Sequence, residues 1–154
     1  MPAFERVTRL PGVDPARAWR VLGASFPRLV PPWETLEILG SPASIRVGEI
    51  ASFRQPVGPL RIPWSSTITE VEPGVGFVDV ASRSPFRAWR HEHAVQDGGG
   101  AILGDRVVWE ARPGLGALDG WVRSRMELLF AWRHRVLRED LALLPPMRLS
   151  EVET

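Results

Sequence analysis

Apolar side chains recur at mostly three-to-four spacing over one long stretch of the chain, from Leu118 to Leu144. Leu118, Val122, Met126, Leu129, Val136, Leu137, Leu141 and Leu144 carry the recurrence. Arg123, Arg125, Glu127, Arg135, Arg138 and Glu139 fall mostly between them. The spacing predicts an amphipathic helix with one broad apolar stripe. Gly114, Gly116 and Gly120 punctuate its approach, and Pro145-Pro146 stops it. At about 1.5 Å per residue the stretch spans roughly 40 Å. A stripe of that length needs an equally long partner, and the rest of the chain reads mainly as strands. A curved antiparallel sheet gripping a C-terminal helix is the expected architecture.

The chain before the helix supplies the strands. Residues 3–10 predict the first, although Phe4, Arg6, Thr8 and Leu10 alternate only imperfectly with Glu5, Val7 and Arg9. Asp14-Pro15 then starts a helix, because Asp caps free N–H groups and Pro suits the first helical position. Trp19, Leu22 and Phe26 share a face, and the helix ends near Ser25, before Pro27. Pro31-Pro32 leaves room for one further short helical turn. From Trp33 the period becomes two: Leu36 and Ile38 flank Glu37, and Gly40-Ser41-Pro42 ends this strand. Residues 44–54 predict a third strand, with Ile45, Val47 and Phe53 on one parity. Gln55 to Pro63 holds Pro56, Gly58, Pro59 and Pro63, which predicts a loop or irregular edge segment. Its Val57, Leu60 and Ile62 suit either a lid over a pocket or a loop tucked onto the core. Further strands are expected at about 64–72, 76–81, 86–96 and 101–110. Pro73-Gly74, Ser82 to Pro85 and Asp97 to Gly100 make the turns between them. The fold class is thus α+β, a seven-stranded antiparallel sheet around a long C-terminal helix, in the order β-αα-β6-α. A single domain is expected over 1–146, with a tail at 147–154.

Composition narrows the function classes. The chain of 154 residues has no cysteine, which removes disulfides, thiolate nucleophiles and cysteine-ligated metals. All 19 basic residues are arginine, so Schiff-base chemistry on lysine is excluded. These arginines are interspersed with 18 acids for a net charge of +1, and no dense basic tract marks a nucleic-acid surface. No apolar run is long enough to span a membrane. The opening MPAFERVTRL lacks the layout of a secretory signal, and a cytoplasmic location is expected. Seven tryptophans and no tyrosine stand out. Trp serves either as a large core filler or as a broad apolar cavity wall with one N–H donor.

The last predicted hairpin carries the most informative pattern. Residues of equal parity on a strand point the same way. Trp89, His91, His93 and Val95 therefore share one face, and Leu103, Asp105, Val107 and Trp109 share one face of the next strand. The opposite faces carry Arg90, Glu92, Arg106 and Glu110, which suit solvent and cross-strand pairing. An inward face with two histidines and an aspartate is unusual, because buried polar groups must be satisfied. Four readings of it stay open. Asp105 locks the hairpin by accepting hydrogen bonds from His91, His93 or an arginine. The same groups orient a ligand in a largely apolar pocket. His91, His93 and Asp105 bind a metal, with no further ligand clearly placed and His134 on the helix. Or His91 or His93, poised by Asp105, moves a proton on a substrate. Arg87 has inward parity and reads as a pocket-rim group or a solvated strand-start arginine. Arg133 interrupts the helix stripe and suits either a bridge to Asp79 or Asp105 or a place at the stripe's boundary. No phosphate-binding glycine loop and no Gly-x-Ser-x-Gly elbow is present.

These residues also carry a likeness. Pro63-Trp64, Ile68 to Pro73, Phe77 to Val80, Ser84-Pro85-Phe86, Trp89, His91 and His93, Asp105-Arg106-Val107 and Leu129 to Arg133 together resemble the ligand-binding branch of the START/Bet v 1-like (SRPBCC) superfamily. That branch comprises polyketide cyclase/dehydrase and lipid-transport-like proteins, and the likeness spans nearly all of residues 3–141. It implies a helix-grip fold with an internal cavity. It further implies a small or medium hydrophobic ligand, bound by a carrier or sensor with no cofactor. The alternatives it leaves are a cyclase- or dehydratase-like enzyme using His91, His93 and Asp105, and a protein-interaction or co-chaperone-like module. Similar domains also sit beside sugar-nucleotide-epimerase-like domains. The expected ligand-contacting set is Trp64, Trp89, His91, His93, Asp105, Val107, Trp109 and Met126, with no metal ligand among them. Two positions depart from the pattern: Ser84 stands where a glycine is usual, and Trp109 where a tyrosine is common. The second removes a phenolic hydroxyl that a cyclase-like acid would use.

Overall fold

A computed structural model of the protein describes residues 1–143. Seven strands are present: β1 (Ala3–Pro11), β2 (Glu37–Gly40), β3 (Ile50–Val57), β4 (Leu60–Glu72), β5 (Gly76–Arg83), β6 (Ala88–Asp97) and β7 (Gly100–Glu110). They form one antiparallel sheet in the order β1-β7-β6-β5-β4-β3-β2. Helix α1 (Pro15–Ala24) and a 3₁₀ turn (Phe26–Leu29) join β1 to β2. Helix α2 (Asp119–Leu143) follows β7 after a 3₁₀ turn at Gly116–Leu118. The sheet wraps around α2, which is the helix-grip arrangement expected from the order of elements. Leu144, the Pro145-Pro146 stop and the tail at 147–154 lie outside the described residues.

Local chemistry sets the helix ends. The Asp14 carboxylate accepts from the Ala16 N–H at 3.3 Å, and Pro15 occupies the first turn. Asp119 opens α2, and its carboxylate accepts the indole N–H of Trp109 at 2.9 Å, which pins the start of the helix to β7. At the other end of α2, the Ser25 hydroxyl donates to Asp140 at 2.6 Å and Arg28 pairs with the same carboxylate.

Two segments differ from the sequence expectation. The third strand begins at Ile50, not at residue 44. Gly48 adopts φ 92 and donates its N–H to the Ile68 carbonyl at 2.9 Å, so the chain turns just before the strand. Ile45 packs on the core from this turn, whereas Val47 is exposed. Gln55 to Pro63 is not a loop but the end of a hairpin, tipped by Gly58-Pro59 with Gly58 at φ 56. The prolines are tolerated because each strand has only one neighbour there. β2 pairs with β3 only through Ser52 to Arg54, and β5 joins β4 only from Ser65 onward. Pro56 and Pro63 lie beyond both pairings, where no second ladder needs their missing N–H.

Apolar burial falls into two clusters on the concave side. One joins Leu10, Val21, Leu22, Val95, Leu103 and the α2 residues Val136, Leu137 and Leu141. The other joins Phe4, Trp89, Val107, Trp109, Val122 and Phe130. The helix stripe differs in detail from the expected one. Leu118 is 48% exposed, while Phe130 and His134, one helical turn apart, are buried. Among the described residues no helix is long and apolar enough to cross a membrane.

Helix burial gives a direct stability test. Leu137→Ala, in the first cluster, is expected to cost about 2–5 kcal/mol. Leu128→Ala, on the exposed face of the same helix, is expected to stay within about 0.5 kcal/mol. Urea unfolding midpoints of the two variants check both.

Candidate active or ligand site

Between the concave sheet and α2 lies a cavity of about 900 Å³. Its wall is largely apolar. At one end Trp64 stands edge-on to Trp89, with ring centroids 5.1 Å apart, and stacks on Phe53 at 5.7 Å. Phe86 closes this aromatic group at 5.0 Å from Trp89. Met126 and Phe130 face it from α2.

The opposite character is concentrated where β5, β6 and α2 converge. His91 and His93 are two apart on β6, so the period of two sends both inward, as expected. Register then sets their partners: His93 lies opposite Asp105 on β7, and His91 opposite Asp79 on β5. His91 Nε2 is 2.8 Å from Asp105 Oδ1, and His93 Nδ1 is 3.0 Å from the same oxygen. His93 Nε2 is 3.1 Å from Asp79 Oδ2. The other Asp79 oxygen accepts the Ser66 hydroxyl. The remaining Asp105 oxygen takes His134 Nε2 at 2.6 Å, and His134 Nδ1 meets the Thr8 hydroxyl of β1 at 2.6 Å. The imidazoles are held by stacking as well: His93 lies 4.0 Å from Phe77, and His91 stands edge-on to Phe130 at 5.1 Å.

Burial and pairing pull the titrations apart. Burial opposes ionisation of Asp79. The His93 hydrogen bond, the charges of His91 and His93 and the Ser66 hydroxyl outweigh it and hold the carboxyl at about 2. Burial likewise opposes ionisation of Asp105, but hydrogen bonds from all three histidines keep it well below the usual carboxylate range. Desolvation pushes His91 below its ordinary value, with the neighbouring His93 adding to the effect. His93 feels the same desolvation, yet its bonds to Asp105 and Asp79 raise it above the ordinary value. The two neighbouring rings are thus pushed in opposite directions, His93 up and His91 down.

The expected site residues divide into two layers. Trp64, Trp89, His91, His93 and Met126 line the cavity. Asp105 stands behind the two histidines, and Val107 and Trp109 are fully buried in the core between β7 and α2, so none of these three forms its wall. Asp79 and Ser66, absent from the expected set, do line it. Arg87 is not on the rim but pairs with Glu110 at 3.0 Å in solvent. Arg133 lines the cavity without the expected bridge. It donates to the Leu29 carbonyl at 3.3 Å and lies over Phe130, and among the described residues no carboxylate is within ion-pair distance. Burial lowers its pKa. A group able to hold a cation is formed by Asp79, His91 and His93, with one donor atom of each within 4.8 Å of the others. Asp105 is not part of that group. The parity of Asp79 with Phe77, and the turn separating His134 from Phe130, were the available signals for the two residues that sequence reasoning left aside.

The family described as "Domain of unknown function (DUF8410)" matches residues 63–141, which run from β4 through most of α2 and hold every member of the polar cluster except Thr8. The chain belongs to this family. No curated protein matches the chain. Among solved structures, this family member is similar to the di-domain ARO/CYC StfQ from the steffimycin biosynthetic pathway. The identity is 15%, the TM-score is 0.68, and the match covers 91% of this chain and 50% of that one. It is also similar to norcoclaurine synthase from Thalictrum flavum, in complex with dopamine and hydroxybenzaldehyde. There the identity is 14%, the TM-score 0.65, and the coverage 94% and 90% of the two chains. The nucleoside-diphosphate sugar epimerase from Corynebacterium glutamicum matches at 22% identity and a TM-score of 0.63, over 90% of this chain and 29% of that one. At these identities the likeness shows a shared helix-grip fold.

The depressed carboxylates make acid stability a test of the cluster. The folded pKa of Asp79, about 2, lies below its ordinary 3.8. The unfolded chain thus binds more protons between these values. The stabilisation is present above about pH 4 and lost as the pH falls through about 2, to the extent of about 2 kcal/mol. Around the ordinary imidazole value of 6.5, His91 and His93 act oppositely. The lowered His91 loses its contribution as pH falls below that value, and the raised His93 loses its own as pH rises through its folded pKa. Asp79→Asn is expected to flatten the acid limb of the stability–pH profile, measured by urea unfolding with a chelator present.

Proposed function

We propose that the chain binds a small or medium apolar molecule that carries one polar group, as a carrier or sensor. The observation that carries this reading is the 900 Å³ cavity with an aromatic wall at one end and His91, His93 and Asp79 at the other. Mainly apolar walls with a few convergent polar groups are what ligand sites require. The apolar part of a ligand would lie against Trp64, Trp89 and Met126, and the half-buried Arg133 offers its polar part a further donor. A protein-interaction module would be favoured by a sealed tryptophan core. Trp64 and Trp89 instead border open space, which supports the ligand reading.

One observation favours a second reading, an enzyme of the cyclase or dehydratase type. His91 and Asp105 form a 2.8 Å pair whose imidazole faces the cavity, which is the geometry of an oriented proton-transfer group. Asp105→Asn separates orientation from charge at this pair. It is expected to alter the histidine titration seen by NMR; if apolar-probe affinity and titration are both unchanged, Asp105 has no site role.

Native mass spectrometry of freshly purified protein, with extraction of anything released on denaturation, is expected to reveal a co-purifying apolar molecule. Binding of 1-anilinonaphthalene-8-sulfonate provides the variant test. Met126→Trp fills part of the cavity and is expected to weaken the probe roughly tenfold, equivalent to about 1.4 kcal/mol. Leu128→Trp, on the solvent face, leaves it unchanged. Equal binding by both variants would count against the cavity as the site.

A further inference from the structure

Three potential ligand atoms converge at the polar end of the cavity, one each from Asp79, His91 and His93. The His91 ring has its Nε2 on Asp105 Oδ1 at 2.8 Å, which leaves its Nδ1 turned to Asp79 Oδ2 at 3.5 Å. His93 brings the third donor to the same oxygen, with Nε2 at 3.1 Å from Asp79 Oδ2.

Both Asp79 edges of this triangle match a metal's coordination sphere, and all three donors lie within 4.8 Å of one another. Around a tetrahedral ion with ligands at about 2.0–2.1 Å, neighbouring donors lie about 3.3 Å apart. The observed 3.1 and 3.5 Å bracket that edge. The outer groups fit as well. Ligating histidines ordinarily donate their second N–H to a carboxylate, which fixes the ring and raises its basicity. Here both rings present that second nitrogen to one oxygen of Asp105, at 2.8 and 3.0 Å, and His134 holds the other oxygen. Ser66 holds the second oxygen of Asp79 in the same manner.

We propose that Asp79 Oδ2, His91 Nδ1 and His93 Nε2 bind one divalent ion of the zinc class, with Asp105 as the shared carboxylate behind both rings. Two imidazoles and one carboxylate are ligands that Zn²⁺ accepts readily. On binding, any proton on His93 Nε2 or His91 Nδ1 is released to solvent, and each ring keeps its other N–H on Asp105. All three ligands border the cavity and Asp105 does not, so the remaining coordination position faces the cavity. The site thus goes beyond the apolar-ligand reading and does not depend on it. An ion there would offer a ligand oxygen a Lewis-acidic contact.

Chelator-treated, folded protein titrated with Co²⁺ and Zn²⁺ tests this. One Co²⁺ per chain is expected, with the intense visible absorption of a four-coordinate site, displaced by Zn²⁺. Asp79→Asn is expected to weaken the ion at least 100-fold, and Asp105→Asn 10–100-fold, as loss of an outer carboxylate does. Absence of saturable binding by the wild type, or equal binding by Asp79→Asn, overturns the proposal. A measurement on the wild type alone covers the case in which a variant fails to fold. Zn²⁺ is expected to shift the imidazole nitrogen resonances of His91 Nδ1 and His93 Nε2 most strongly, and saturation without those shifts places the ion elsewhere and equally overturns it. A failed apolar-probe titration with intact Co²⁺ binding would count against the ligand reading only.

Discussion

Three imidazoles share one carboxylate, and much of the molecule is arranged around that contact. Asp105 sits mid-strand on β7 with His91 and His93 across the ladder and His134 above it on α2. Through His134 the network reaches Thr8 on β1. The β6–β7 hairpin, β1 and α2 are thereby tied at one point. A buried carboxylate left unpaired would be expelled or protonated, so the helix can dock only with His134 facing the sheet. The two apolar clusters lie on either side of this point: Val95 and Leu103 toward one end of the hairpin, Trp89, Val107 and Trp109 toward the other. Apolar burial supplies the driving force for docking α2, and the polar knot between the clusters selects its rotation and its axial position.

The cavity follows from the same docking. α2 packs on β1, α1 and the 3₁₀ turn. The strands β3 to β5 curve away from it, and the space between is lined from the sheet by Phe53, Trp64, Ser66 and Asp79 and from the helix by Met126 and Phe130. Aromatic side chains at one end and titratable ones at the other make the cavity polarised. That polarity is what connects fold to function. An apolar body is held by area, and a polar group or an ion is held by directed contacts.

Retaining five ionisable groups in this region has a cost, because well-packed apolar residues would stabilise a core more simply. Their pairing offsets the desolvation, as the depressed Asp79 and Asp105 and the raised His93 show. His91 is held differently from His93: its Nδ1 stands 3.5 Å from Asp79 Oδ2, whereas His93 Nε2 is within 3.1 Å of the same oxygen.

Periodicity together with the Gly and Pro turn residues was enough for the α+β class, the seven strands, the C-terminal helix and the inward parity of Trp89, His91, His93 and Asp105, because both are local properties of the chain. The layer of each residue was not local. Val107 and Trp109 share parity with the site but face α2 where it packs tightly, while Asp105 lies one layer behind the rings it orients. Asp79 entered the site through the β5–β6 register, which pairs it with His91. His134 entered through the rotation of a helix whose apolar stripe was too broad to specify it. The prolines of the β3–β4 hairpin misled for a related reason: their cost depends on whether a second strand lies alongside, and the chain's own residues do not say where a neighbour ends. Local side-chain pattern thus determined the elements and their faces. Tertiary packing alone decided which polar atoms meet, because those distances arise from strands and a helix brought together across more than a hundred residues.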